Sequence, residues 1–133
     1  MTRPAPIRTP LSQPFWDAIA RGQLVIQHCG ACGRLQHYPR PWCTACLSDV
    51  LDWQHVSGNA IVYAHTIVRR ALNPAFNDAV PYVYALVDLD EGVRMTTNIV
   101  GVVPDDVRIG MRVRVVFEPV ADGGHVPVFT PLL

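Results

Sequence analysis

Cys29-Gly30-Ala31-Cys32 and Cys43-Thr44-Ala45-Cys46, two Cys-x-x-Cys pairs separated by the ten residues Gly33 to Trp42, hold every cysteine of the chain and decide how the rest is read. A zinc ion takes four soft ligands in a tetrahedron, at about 2.3 Å from each sulfur, and a tight turn supplies two of them when its cysteines lie three apart. Two such turns fill the coordination sphere, so zinc here is structural rather than catalytic. Gly30 and Gly33 suit the first turn, in which backbone N–H groups point back at the sulfurs and some residues take positive φ. The second turn carries Leu47 where a glycine is expected, which weakens the turn signal without removing a ligand. Three other readings of the cysteines stand beside zinc. Iron uses the same donor set. Two disulfides need an oxidising compartment, whereas Met1-Thr-Arg-Pro-Ala-Pro-Ile-Arg8 has no apolar run of a secretory signal, so a reducing, cytoplasmic setting is expected. A redox-active pair normally stands alone beside a βαβ pattern, and here two pairs converge in a loop-rich stretch.

The composition narrows the function. Of 133 residues half are apolar, ample for one compact core with a small subdomain. Eleven basic residues, all arginine, balance eleven acidic ones, so no bulk field draws nucleic acid or an anionic membrane to the surface. The lack of lysine excludes Schiff-base chemistry and a P-loop lysine. No apolar run reaches the roughly 18 to 20 residues of a membrane span. Ser12, Ser48 and Ser57 are the only serines, and none sits in a G-x-S-x-G elbow. Asp105 and Asp106, adjacent after Pro104, read as a turn rather than a catalytic pair. His65 alternates with Ile61, Tyr63 and Ile67 along a strand and reads as a satisfied imidazole, and His28 and His37 read as groups outside the metal's ligand set. No nucleophile constellation remains, so the residues describe a binding or scaffolding module and not an enzyme.

Taken in order, the chain divides into an arm and helix (residues 1–22), a zinc ribbon (23–50) and an all-β part (51–133). The proline-rich stretch 1–11 reads as a mobile arm that docking alone would order. Ser12 as N-cap, Pro14 in the first turn and Gly22 at C′ bracket a short helix whose stripe, Phe15, Trp16 and Ile19, must dock on this chain or on a partner. Strands Leu24–His28 and Arg34–Tyr38 flank the first knuckle as a hairpin, and Pro39-Arg40-Pro41-Trp42 forces an extended approach to the second. Beyond it, Leu51–Val56 and Ala60–Arg70 read as one long strand broken at Ser57-Gly58-Asn59. Tyr82–Leu89 and Val93–Val100 form a hairpin about Asp90-Glu91-Gly92. Met111–Glu118, with Val113, Val115 and Phe117 inward, and Val126–Thr130 complete five strands, which fit a small closed barrel of the OB type, with a half-open sandwich as the structural alternative.

The succession of a Pro14-Phe15-Trp16 helix, Gln23-Leu-Val-Ile-Gln-His-Cys29, the two cysteine pairs about Pro39-Arg-Pro41, Val80-Pro-Tyr82 and Leu89-Asp-Glu-Gly-Val-Arg94 resembles the zinc-ribbon and OB-fold proteins that accompany thiolases and other acyl-CoA enzymes. The resemblance spans about Ser12 to Phe129. It implies a mainly β fold: an N-terminal helix, a rubredoxin-like ribbon and a five-stranded OB barrel. It carries the metal ligands onto Cys29, Cys32, Cys43 and Cys46, one zinc per chain, and transfers no catalytic residue. It also implies a non-catalytic subunit that helps a thiolase, acyl-CoA synthase or aldolase hold its coenzyme A thioester, as in lipid or steroid side-chain metabolism. Such a ligand needs local cations beside an apolar channel, and Arg69 and Arg70 followed by the Phe76 loop are the best local candidates. The rival is a single-strand nucleic-acid binder, for which the missing basic excess is unfavourable. Phe15, Trp16, the arm and the ribbon edge from Tyr38 to Trp42 are the expected partner surface.

Overall fold

The computed structural model describes residues 5–71, 73–76 and 79–132, which leaves Asn77 and Asp78 of the expected binding loop, and the first four residues of the arm, outside the described residues. Helix α1 spans Gln13–Ala20, and eight strands follow: β1 (Val25–Cys29), β2 (Leu35–Gln36), β3 (Leu51–His55), β4 (Asn59–Val68), β5 (Tyr82–Leu89), β6 (Arg94–Ile99), β7 (Arg112–Pro119) and β8 (His125–Pro131). They form a three-stranded ribbon sheet ordered β2-β1-β3 and a closed barrel ordered β4-β5-β6-β8-β7. The barrel closes through the parallel pairing of Ile99 with Phe129, which rules in favour of the OB-type barrel over the half-open sandwich. Among the described residues no helix is long and apolar enough to cross a membrane.

Alternation builds the barrel as expected. Val83, Ala85, Val87 and Leu89 of β5 are buried while Tyr82, Tyr84 and Leu86 are not, and they meet Ala60, Val62, Val113 and Phe129 inside. The β5–β6 hairpin turns on Gly92, whose φ of 95° and N–H bond to the Leu89 carbonyl close a three-residue loop. A bulge between Val62 and Ala64 leaves Tyr63 outside, with the Arg94 guanidinium 3.5 Å above its ring.

The helix ends in a Schellman arrangement: Gly22 N–H reaches the Ile19 carbonyl, Gln23 N–H reaches Ala18, and Gly22 has a φ of 73°. At its N-terminus Ser12 holds the expected N-cap position without the capping bond. It is buried, and its hydroxyl instead accepts the Thr9 N–H at 3.0 Å. The apolar stripe docks on its own chain. Phe15, Ala18 and Ile19 are buried and join one core with Leu24, Val25 and Ile26 of the ribbon and with the barrel interior, so α1 is a strut between the two sheets. Full burial of side chains the size of Phe15 and Ile19 stabilises by about 2 kcal/mol each.

One strand expectation is overturned. Leu51–His55, read as the opening of a long first barrel strand, pairs with β1 from Cys29↔Leu51 to Val25↔His55 and belongs to the ribbon sheet. The reason lies at the knuckles: the Val50 carbonyl accepts the Gly30 N–H at 2.7 Å, so the chain leaving the second knuckle is zipped to the first before it can reach the barrel. The break that follows is the true corner, since a Cβ on Gly58 would lie 2.3 Å from Val115 Cγ1, and only glycine lets the linker cross β7 that closely.

Candidate metal centre and the grooves beside it

The two knuckles bring Cys29, Cys32, Cys43 and Cys46 together, with all four sulfurs within 4.8 Å of one another. The Cys29–Cys46 and Cys32–Cys43 sulfur pairs are 3.6 Å apart. A tetrahedron with metal–sulfur bonds of about 2.3 Å has edges of about 3.8 Å, and a disulfide is about 2.05 Å long, so the spacing matches four thiolates about one ion and not two bridges. The donor set is compatible with one structural zinc. Backbone N–H groups of Cys46 and Ala45 hold the Cys43 thiol down to about 6, and the N–H of Cys32 lowers Cys29. At Cys46 the Ser48 N–H pulls the same way, yet Cys29 and the other neighbouring thiols push it up to about 12; Cys32 is likewise raised against the pull of the Arg34 N–H, by Cys43. Four adjacent sulfurs cannot all carry charge by themselves, and a dication that binds them must displace protons from the two raised ones. Leu47 supplies the turn that the sequence lacks a glycine for: its φ is 65° and its N–H donates to the Cys43 carbonyl at 3.0 Å.

The knuckles are fastened by two glutamines that the sequence reading passed over. Gln27 and Gln36 face each other across β1 and β2 and are both buried. Gln27 treats residue 40 as a strand neighbour would, accepting its N–H at 2.8 Å and donating to its carbonyl at 2.9 Å. Gln36 donates to Gln27 Oε1 at 2.6 Å and to the Trp42 carbonyl at 3.1 Å, and accepts from the N–H and hydroxyl of Thr44 at 3.0 and 3.2 Å. The extended Pro39–Trp42 segment is thereby stitched to the first hairpin. The only legible signal was a pair of polar residues at inward positions of short strands.

The remaining flagged residues scatter. His28 pairs with Asp52 across the ribbon at 2.7 Å, outside the sulfur cluster. His37 packs against Phe15, with ring centroids 5.4 Å apart, and burial pushes its pKa down to about 4. Asp105 sits in an exposed helical turn, where Arg69 reaches it at 3.5 Å. Phe76, in the turn Pro74–Phe76, stacks on Tyr82 at 5.8 Å and walls two grooves. The larger, about 570 Å³, lies between α1, the ribbon's Tyr38 and strands β6 and β8, with Trp16, Met95 and Pro6 in its wall. The smaller, about 320 Å³, lies beside Pro81 and Val102. Neither has Arg69 or Arg70 in its wall; the guanidinium that borders the larger groove is that of Arg94, held by Asp88 at 2.7 and 3.2 Å.

Residues 16–52 match the family described as the ChsH2 rubredoxin-like zinc ribbon domain, and residues 53–118 the one described as the ChsH2 C-terminal OB-fold domain. A probable enoyl-CoA hydratase alpha subunit of Thermomonospora curvata is 41% identical over 118 residues; the match covers 88% of this chain but 36% of that protein, so the chain spans about a third of its length. A DUF35 domain-containing scaffold protein of Methanocaldococcus jannaschii is 34% identical over 108 residues, covering 80% of this chain and 76% of the relative. Among solved structures, a chain of the Ltp2-ChsH2(DUF35) aldolase superposes with a TM-score of 0.87 at 36% identity, covering 97% of this chain and 100% of that one.

Proposed function

The chain belongs to the DUF35 family of ChsH2-type zinc-ribbon and OB-fold proteins, and from that membership we propose that it is a non-catalytic partner subunit of an acyl-CoA enzyme of thiolase or aldolase type. The observation that carries the reading is the end-to-end correspondence with the DUF35 chain of an aldolase assembly. In this role Cys29, Cys32, Cys43 and Cys46 hold one zinc that keeps the ribbon rigid, the partner performs the chemistry, and the coenzyme A thioester is shared between the two. The aromatic groove beside Phe76 is the better local contact for such a ligand, because Arg94 lines it whereas Arg69 and Arg70 do not, and a bound phosphate would share Arg94 with Asp88. The site chemistry supports an accessory role: all four thiols lie in one cluster with no open coordination position, and no thiol stands apart as an acyl acceptor. The surface weighs against a nucleic-acid track, since Arg8, Arg69, Arg94 and Arg112 are each paired with an aspartate.

The test is co-expression with a thiolase-fold enzyme encoded beside it. Light scattering of the purified pair is expected to show a stable complex, elemental analysis one zinc per chain, and acyl-CoA turnover is expected only when the partner is present. Turnover by the isolated chain that a single substitution abolishes, or no complex with any thiolase-fold or hydratase-type neighbour, overturns the proposal.

A further inference from the structure

We propose that the N-terminal arm is a latched strap: Arg8, gripped by Asp122 in the β7–β8 turn, holds residues 5–11 along α1 so that Pro6 closes one side of the 570 Å³ groove, and release of this single pair opens it. Both guanidinium ends of Arg8 donate to the two oxygens of Asp122, the longer bond at 3.4 Å, and the same guanidinium lies 5.9 Å above the Trp16 ring. The receptor is built in advance. Asp122 Oδ1 accepts the Gly124 N–H at 3.0 Å, which aims the carboxylate, and the guanidinium lies close over Gly124, where a Cβ would stand 2.4 Å from Arg8 Nη2. The Arg8 pKa is raised and that of Asp122 lowered, each first by their shared hydrogen bonds.

Behind the latch is a pivot. Ser12 and Gln13 N–H groups both donate to the Thr9 carbonyl while Thr9 N–H returns to Ser12 Oγ, so the chain from Thr9 onward is fixed to the helix. Among the described residues ahead of the pivot, Arg8 makes the one side-chain ion pair. Ile7, beside Arg8, is 88% exposed, and hydrophobic burial therefore does not hold that part of the strap down. A half-exposed ion pair, even when bidentate, shifts a local closing equilibrium by only about fivefold, which is the range of a latch and not of a permanent clasp. This inference concerns access to the groove and stands whether or not the groove's occupant is a coenzyme A thioester.

The experiment uses the full chain with zinc bound. Hydrogen exchange at residues 7–9 is compared in wild type, Arg8→Ala and Asp122→Asn, the last keeping an oxygen for the Gly124 N–H but removing the carboxylate charge, with amides of β5 and β7 as reference. The apolar dye 1-anilinonaphthalene-8-sulfonate probes the groove. Exchange at residues 7–9 is expected to quicken about fivefold in both variants with dye fluorescence rising and β5 and β7 unchanged, and about 1 M salt should reproduce this in wild type without adding to Arg8→Ala. Unchanged exchange in either variant shows that the pair is no latch. Equal quickening of β5 and β7 makes it a general brace of the fold, and quickened exchange without added dye binding removes Pro6 from the groove's closure; each of these refutes the proposal.

Discussion

Replacing Gln36 by leucine tests whether the ribbon is held by its metal alone or by the amide stitching as well. The side chain makes four hydrogen bonds, and at about 1 kcal/mol each their loss would cost about 4 kcal/mol. That sum overstates the effect. Thr44 and Trp42 are exposed and their freed groups can turn to water, while Gln27 Oε1 keeps the Arg40 N–H. What remains uncompensated is one buried acceptor position on Gln27, the lost ordering of the Pro39–Trp42 segment, and a leucine of similar size in a polar niche, together about 2 kcal/mol. Gln36→Glu is expected to cost more, because its second oxygen faces the Gln27 and Trp42 acceptors, adds charge beside the sulfurs and donates nothing. The assay pairs urea unfolding of the zinc-loaded chain with the rate of zinc transfer to a coloured chelator. If the ribbon opens before it releases metal, a loss of about 2 kcal/mol quickens transfer up to about thirtyfold. A cost below about 0.5 kcal/mol with unaltered transfer would show that the thiolate cluster fixes the second knuckle unaided and that the stitching is incidental.

Leu47→Gly should raise stability by about 0.5–1 kcal/mol, the left-handed strain relieved less the entropy of glycine, since the leucine is mostly exposed and loses little packing; a fall in the urea midpoint contradicts this. Cys43→Ser should abolish stoichiometric zinc and let the ribbon amides exchange freely while β5 and β7 stay protected, because the closed barrel has its own interior; elemental analysis and hydrogen exchange read the two halves separately. Burial holds the His37 pKa near 4 in the folded chain against about 6.5 unfolded, so between those values the unfolded state binds the extra proton: stability is complete above pH 6.5 and falls by at most about 3 kcal/mol as pH drops to 4. His37→Gln should remove this loss, so that the stability difference between the two proteins changes by up to about 3 kcal/mol across that window, and parallel curves would place the imidazole in water.

The ribbon and most barrel strands were legible because each rests on a local signal. Cysteine spacing announces two knuckles whatever the rest of the chain does, and the alternation in Tyr82–Leu89 reports its two faces directly. Leu51–His55 was misplaced for the converse reason: its alternation is just as local, but nothing within it says which sheet will supply the partner, and the Gly30–Val50 bond that decides the matter joins positions twenty apart. Gln27 and Gln36 escaped notice because single glutamines carry no motif; they become a network only once the register places them opposite one another. Arg69 and Arg70 were chosen for adjacency in sequence, whereas Arg94, from a separate hairpin, is the cation that borders the aromatic groove.

The burial of Phe15 and Ile19 changes where a partner can act. With α1 committed to the joint between ribbon and barrel, Phe15 and Ile19 are no longer available as an interface while Trp16 stays half-buried in the groove wall, and the large apolar groups left exposed near the metal are Trp42, Leu47 and Val50 together with Tyr38. Three of these sit at or next to the knuckles, and Leu47 is held both outward and in a backbone region that costs energy for a side chain of its kind. Tyr38 also belongs to the wall of the larger groove. In the proposed role the zinc acts on the groove only indirectly: by fixing the knuckles it fixes the attitude of Tyr38 and of the His37 ring against Phe15, and through that helix the position of Trp16 in the same wall. A ribbon that loosens will blur the shape of the groove even though no metal ligand enters it.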